Sequence, residues 1–418
     1  MKLNEICRLQ IQTSEPDGFV LSQSELNDNA VNIAGLENFR LNVNAVLDED
    51  QLEGSAYFYT DVLGDSSSIN ISRGMILDAS ATPYAVAGSV TALVRNEEFD
   101  PFHNIQFKVG ANTRFQVLYD DEWTNVFQGK LRSVNSDYDV DERAFVRFEA
   151  TDLIDDLAQI KLNEVSFPAQ NTGVRMQALM ATAGVDDEYI ASGSSHSYTM
   201  AAESITDTLL EACEDTNNHE LGAFYVNKYN QAVFLNYGQT RSPDLANPIF
   251  TNGAINSANK VSMTDLDMAT GKDLFFNRVV AKTDNDPDTY EENALVSQMR
   301  HGEFGYANTA LKLHTAGGSG SGQTVVNEYM DRFLERWSDV PNDIKYTDPR
   351  RYAKAVYAIN RTNDLRYPVL AEVGDEVKVD FDTDFVNFEQ DSMVMEINHD
   401  ISPDRWLTKL TLIPVPNN

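Results

Sequence analysis

Val109-Gly110-Ala111-Asn112-Thr113-Arg114-Phe115-Gln116-Val117 and Val373-Gly374-Asp375-Glu376-Val377-Lys378-Val379-Asp380-Phe381 stand 264 residues apart and decide how the chain is read. Each is a Val-Gly turn leading into a strand with period-two alternation, so that successive side chains face opposite sides of a sheet. Val377, Val379 and Phe381 point one way, Lys378, Asp380 and Asp382 the other. At the same offset Phe115 and Val117 fall on Val379 and Phe381, Leu131 on Met395, and Val146 and Phe148 on Leu410 and Leu412, with no gap. Each copy reads as a meander with one buried face. Chance likeness between alternating strands competes with true duplication. The ordered match favours two related β-barrels separated by inserts.

Outward from these stretches most of the chain reads as strands joined by Asn/Asp/Gly-rich turns. Three intervals have helical periodicity. Residues 172 to 183 align Met176, Leu179, Met180 and Ala183, with Gly184 as C-cap; 201 to 216 align Ile205, Leu209, Ala212 and Cys213; 324 to 338 align Val326, Tyr329, Met330, Phe333 and Trp337 ahead of Pro341. Each stripe is expected to cover a sheet. A hairpin with Phe224 and Val226 on one arm and Val233, Leu235 and Tyr237 on the other turns at Lys228-Tyr229-Asn230-Gln231. Residues 316 to 322 form a Gly/Ser linker.

The bulk numbers limit the function classes. At 418 residues the chain exceeds one ordinary core. Lys+Arg 32 against Asp+Glu 65 leaves a net charge of −33, which argues against a protein that grips nucleic acid and allows a wall that DNA slides past. A saline source is a competing explanation of the acidity. The start Met1-Lys2-Leu3-Asn4-Glu5 lacks a signal-peptide pattern and no apolar run is long enough to span a bilayer, so a soluble protein made in a cytoplasm is expected. Cys7 and Cys213 have neither metal nor disulfide-framework spacing, and Cys213 reads as a core residue. No catalytic motif stands out among the six scattered histidines, and no P-loop or nucleophile elbow occurs. Asp284, Asp286 and Asp288, or Asp380, Asp382 and Asp384, are minority candidates for calcium. The first set lacks the glycine and the twelfth-place glutamate of an EF loop. The expectation is no metal, no cofactor and no catalytic residue.

An ordered string of motifs is similar to the hub, or minor tail, proteins of long-tailed bacteriophages. Arg73-Gly74 ends one strand; Ala87-Gly88 through Leu93 forms the next; Asn96, Phe99-Asp100-Pro101 and Asn104 make a turn; Val109-Gly110, Phe127-Gln128-Gly129 and Asp152-Leu153 follow. Leu209-Leu210 through Phe234 resembles the family's middle section, with Asn230-Gln231 replacing the usual turn pair. Asn277-Arg278-Val279-Val280 resembles the strand opening the second barrel, and Gly374-Asp375, Ile397-Asn398-His399-Asp400-Ile401 and Trp406 to Leu412 resemble its later strands. The resemblance covers roughly residues 60 to 414, and its order is more specific than any single piece. All these motifs are architectural. Gly110 and Gly374 are expected where a side chain would clash, and His399, between two isoleucines, as a structural hydrogen-bonder.

The resemblance implies a mainly β chain with α+β inserts: two related, tail-tube-like β-barrel domains plus two inserted or accessory domains. The expected boundaries are 1–54 for a β-rich extension, 55–160 for the first barrel, 161–266 for an α/β insert, 267–290 with 350–418 for the second barrel, and 291–349 for a helix-containing insert. It also implies a homotrimer at the virion's tail tip. Tail-tube or distal-tail proteins, a tape-measure protein and receptor-binding tip proteins are its implied partners. DNA passes through its lumen unread. Peptidase or lysozyme domains are fused to some hubs; the chain is expected to end after the second barrel, leaving no room for one. A hexameric distal-tail ring and a calcium- or carbohydrate-binding β-protein remain as alternatives.

Overall fold

The computed structural model describes residues 3–13, 58–64, 67–77, 83–95, 99–100, 107–138, 144–185, 189–192, 198–237, 239–241, 243–244, 247–270, 276–283, 289–303, 307–311, 321–338, 351–358, 369–384, 387–403 and 405–415. Residues 14–57, which make up most of the expected N-terminal extension, lie outside them, as does most of the Gly/Ser stretch.

Strands dominate, as the alternation requires. Five form a first unit: β1 (Ser68–Leu77), β2 (Pro83–Val94), β3 (Asn112–Tyr119), β4 (Glu122–Tyr138) and β5 (Ala144–Thr151). Five form a second: β6 (Asp265–Thr270), β7 (Arg351–Ala358), β8 (Glu376–Asp382), β9 (Asn387–Ser402) and β10 (Arg405–Pro414). Spatial order is β1-β2-β5-β4-β3 in the first and β6-β7-β10-β9-β8 in the second, all antiparallel, so the two share one topology. They join through β1 and β9 into one fourteen-stranded sheet, and neither unit closes on itself among the described residues. Strand Cys7–Thr13 extends the first unit beside β3, and Ile249–Thr251 extends the second beside β8.

Backbone hydrogen bonds fix how the copies superpose. Gly110 N–H donates to Leu131 O at 2.7 Å and Leu131 N–H to Ala111 O at 2.8 Å; Gly374 N–H donates to Val394 O at 2.8 Å and Val394 N–H to Asp375 O at 2.9 Å. Leu131 therefore corresponds to Val394, not Met395. An extra residue, Val126, bulges out of β4 between the pairs Phe115–Phe127 and Gln116–Asn125, whereas β8 and β9 pair without a break. A shorter β9–β10 turn adds one more step. Phe148 corresponds to Leu410 and Ala150 to Leu412. The ungapped expectation therefore holds for β3 and β8, is one residue out for β4 and β9, where a single step exchanges the faces, and two residues out for β5 and β10, where the face is kept. Both units also bulge at the same place, between Leu131 and Ser133 and between Val394 and Glu396.

The opening strand of the second unit is β6. The expected one, around Asn277 to Val280, lies instead in a separate three-stranded sheet of Arg278–Thr283, Thr289–Asn293 and Ala307–Leu311. Helix α5 (Ser321–Trp337) packs on it through Val326, Tyr329, Met330 and Phe333, all buried with Val279 and Ala281. Both candidate strands alternate; the pairing of β6 with β7, six residues long, decides between them.

Between the units lie α1 (Leu153–Gln159), α2 (Thr172–Ala183) and α3 (Leu209–Glu220). Helix α2 ends at Gly184 in the left-handed region. Helix α3 begins later than its apolar stripe suggested: Thr208 and Glu211 form a capping box, and Glu203–Ile205 ahead of it is a strand. The hairpin Ala223–Val226 and Ala232–Leu235 is buried on both faces. Phe224, Val226, Ala232 and Phe234 meet the helices, while Ala223, Tyr225, Val233 and Leu235 join the core of the large sheet. It thus ties the helical layer to both units, each of its buried Phe, Val and Leu side chains contributing about 2 kcal/mol.

Candidate functional site

The units meet along β1 and β9, antiparallel from Ile69 opposite Ile401 to Gly74 opposite Glu396. Gly74 sits at φ +140°, and a Cβ there would fall on the Met395 carbonyl oxygen. Only glycine lets the two backbones close at this point.

A row of charges, buried at Arg73, Glu372, Lys228 and Asp375 and open to solvent at Arg241 and Asp244, backs the seam. The Arg73 guanidinium pairs with Glu372, both side chains 2% exposed, and also donates to Ala371 O at 3.3 Å. Glu372 accepts further hydrogen bonds from the Val373 and Lys228 N–H groups, each at 2.9 Å. The Lys228 ammonium reaches Asp244 at 3.2 Å and Val369 O at 3.3 Å. Arg241 bridges Asp244 at 2.7 Å and Asp375 at 2.6 Å, and Asp375 accepts from Glu372 N–H at 2.9 Å. Cations and carboxylates alternate through the row, which draws on β1, the hairpin turn, the 241–244 segment and the lead-in to β8. Buried charge is tolerated when it is paired in this way. Burial pushes the Asp375 carboxyl up to about 7 against the pull of Arg241. Burial also opposes the charges of Asp244 and Arg241, but their partners prevail: Lys228 and Arg241 hold Asp244 below the usual carboxylate range, and Asp375 raises Arg241.

His399 lies on β9 opposite Ile71. Its Nδ1 accepts from Thr408 Oγ1 at 2.9 Å and from Trp406 Nε1 at 3.3 Å. Burial, and then Arg73, push its pKa down to about 3, so the ring is neutral. Trp406 in turn meets the edge of Phe115 from the other unit, ring centroids 6.4 Å apart.

The remaining sequence-derived positions serve separate local tasks. Asp152 caps α1 by accepting from Ile154 N–H at 3.1 Å, and burial lifts its carboxyl to about 7. A Cβ on Gly88 would run into that carboxylate, and one on Gly129 into the Thr151 carbonyl. Asp100 accepts from Ser136 Oγ at 3.1 Å and Tyr138 Oη at 2.6 Å. Phe99 lies edge-on to Phe107 and Phe148. Buried Asn277 donates to Gly302 O at 2.8 Å and fastens the short helix α4 (Leu295–His301) to its sheet. Gly110 does not avoid a clash, for a Cβ there meets open space; its φ of +87° is what calls for glycine. Gly374 has φ +85°, and a Cβ there would also press on the Tyr225 hydroxyl at 2.7 Å. Asn96, Pro101 and Asn104 lie outside the described residues. So do Asp284, Asp286 and Asp288. Asp380 is half-buried and Asp382 and Asp384 are exposed, and among the described residues no group of three or more His, Cys, Asp or Glu side chains could share a metal.

Of the motif residues only Gly74, Gly374, Asp375, His399 and Trp406 belong to the seam. Arg73, Lys228, Arg241, Asp244 and Glu372 were not singled out as site residues. Two of them carry a sequence signal: Arg73 shares the apolar face of Ile69 and Ile71, and Glu372 interrupts Val369-Leu370-Ala371-Val373.

No family model matches the sequence, and no curated protein matches it. Solved structures do. A 43 kDa tail protein of prophage MuSo2 from Shewanella oneidensis superposes with a TM-score of 0.56 at 10% identity, over 86% of this chain and 96% of that one. A tail protein from Neisseria meningitidis MC58 superposes at 0.58 and 11% identity, over 85% and 93%. The chain therefore has the fold of these phage tail proteins over most of its length, as the motif string led one to expect of its architecture.

Proposed function

We propose that this protein is a structural hub subunit of a phage tail tip: a homotrimeric ring that joins the hexameric tail tube to the tip or receptor-binding apparatus and lines the channel through which DNA leaves. The observation that carries this reading is the doubled five-strand unit. Three chains with two like units each offer a ring of pseudo-sixfold symmetry, which matches a hexameric tube without a symmetry break. A hexameric distal ring needs only one such unit per chain, so the doubling counts against that alternative. In this reading β1–β5 and β6–β10 form the ring, and the helical layer and the sheet beneath α5 stand as inserts. The charge row, buried where Arg73 meets Glu372, is a joint that fixes the angle between units, and no catalytic role is assigned. The net charge of −33 supports a lumen that DNA passes without sticking. Tube, distal-tail, tape-measure and receptor-binding proteins are its proposed partners. Mass photometry of the purified chain across a concentration series is expected to show a trimer. A monomer or hexamer throughout would overturn the proposal.

A further inference from the structure

One strand pairing seen inside the chain has an unfilled counterpart. On β9, β8 occupies the first part of one edge and β1 continues along that same edge, opposite Glu396 to Ile401, while β10 takes the other edge. The superposition above places Ser133 to Tyr138 of β4 where Glu396 to Ile401 stand in β9. There β3 occupies the first part of the edge and β5 the other side, but no described strand continues past β3. The consequence shows in burial. Ile397, His399 and Ile401 are buried, whereas their counterparts Val134 and Ser136 are half-buried and Tyr138 is 57% exposed.

The strand that would fill this edge also has an unused side. By topology β6 is the counterpart of β1: Ile69 pairs with Ala92 beside Phe148, and Leu266 pairs with Ala355 beside Leu410. Strand β1 has neighbours on both edges, whereas β6 pairs with β7 alone among the described residues. Leu266 packs against the core of the large sheet, so β6 is set in the same sense as β1.

We infer that β6 of one copy adds to the free edge of β4 of the next, antiparallel, with Leu266 opposite Tyr138 and Asp267 opposite Asp137. The occupant is a second copy of this chain, and the inference rests on the trimeric reading while specifying its contact surface. Repeating the step links copies head to tail, and three such links close the ring. The register follows from Ile69 opposite Ile401 and Asn70 opposite Asp400 within the chain. It sets two carboxylates side by side: Asp137, whose carboxylate is 3.9 Å from Arg147, and Asp267, whose register partner on β7 is Lys354. The edge gives both main chains hydrogen-bond partners that no described strand supplies within the chain.

Cysteine pairing tests the register. Asp137 and Asp267 are exposed, and the native Cys7 and Cys213 are buried. Directly opposed residues in an antiparallel pair have Cα atoms within disulfide range. Mixing the single variants D137C and D267C under mild oxidation is expected to give a disulfide-linked heterodimer, and the double variant D137C/D267C a covalent trimer on a non-reducing gel. The slipped pair D137C with L266C points to opposite faces and is expected to link at least about tenfold less. Mass photometry of the same samples separates the two ideas. A trimer without the link, or with equal linking in the slipped control, overturns the edge pairing and leaves the trimeric reading standing. Monomers throughout overturn both.

Discussion

Removing one member of the Arg73–Glu372 pair should loosen the seam far more than removing both. Both side chains are 2% exposed, so neither charge can turn to solvent. Arg73→Met leaves the Glu372 carboxylate with only the Val373 and Lys228 N–H groups. Glu372→Gln leaves a guanidinium without its countercharge and turns an amide N–H₂ toward one of three donors. Each single change is expected to cost roughly 3–5 kcal/mol, the usual penalty for a buried charge deprived of its partner. The double variant R73M/E372Q removes both charges. The glutamine oxygen still accepts from one N–H, and about 1–3 kcal/mol remains for the donor left over. The double variant should therefore be more stable than the sum of the singles by roughly 3 kcal/mol or more.

Global unfolding of a chain with several cores need not be two-state, so the readout should be local. Amide hydrogen exchange along residues 69–74 and 396–401 reports opening of the seam itself. A loss of about 3 kcal/mol speeds exchange there by about a hundredfold, and the double variant should recover much of it. Single variants that leave exchange within about threefold of the parent, or effects that simply add, would refute the view that this pair holds the units together.

Three further outcomes follow from the same geometry. His399 is neutral in the fold with its pKa lowered to about 3, so the unfolded chain takes up that proton first. Stability from this site is complete above the ordinary histidine pKa and is lost as pH falls toward 3. His399→Leu should lose roughly 2 kcal/mol less than the parent between pH 7 and 5, measured by paired denaturant titrations. Asp152 and Asp375, raised to about 7, contribute oppositely. Their stabilisation is full below the ordinary carboxylate pKa and fades as pH rises through about 7, which is why the comparison must be with the variant and not read from the parent alone. Gly74→Ala should destabilise more than Gly110→Ala, by thermal melting: both incur roughly 1–3 kcal/mol of backbone strain, and only the first also drives a Cβ into the Met395 carbonyl. Asp137→Asn should tighten association up to about fivefold by removing one of two opposed carboxylates, read as the midpoint of trimer dissociation on dilution; weaker association would count against the register.

The sequence made the sheet legible because its signal is local. Alternation in Val377, Val379 and Phe381 needs only period two, and the glycine of each Val-Gly turn is marked by its own backbone angle. Helix α2 was equally plain, its apolar stripe and Gly184 cap lying within one span. Registers were harder. One bulged residue, Val126, sends two consecutive apolar side chains, Val126 and Phe127, into the core and shifts the superposition by one, a break that an ungapped match passes over. The choice between Asp265–Thr270 and Arg278–Thr283 as opening strand was harder still, since both alternate and only pairing with Arg351–Ala358 separates them. The charge row was hidden for another reason. Arg73, Lys228, Arg241 and Glu372 are brought together by tertiary contact across as many as 299 residues, and no spacing rule spans such distances.

Duplication within one chain has a consequence that a ring of six identical subunits could not have. The joint inside the chain and the proposed joint between chains use the same strand pairing, yet they are not equally furnished. Inside, β1 meets β9 with Arg73 and Glu372 behind the seam, Gly74 closing it, and Trp406 against Phe115. In the counterpart positions, Thr270 replaces Arg73 and Lys108 replaces Glu372, while Asp267 faces Asp137. Like charges directly opposite weaken a pair, and a buried network rigidifies one only when all its members are present. Tight and loose joints would then alternate around the ring, which would open between chains before any chain came apart. Added salt screens the opposed carboxylates and should lower the concentration at which trimers form, whereas the Arg73–Glu372 pair, with both side chains 2% exposed and out of reach of ions, should leave exchange at the β1–β9 seam unchanged. A salt effect on the seam equal to that on association would mean that the two joints are alike after all.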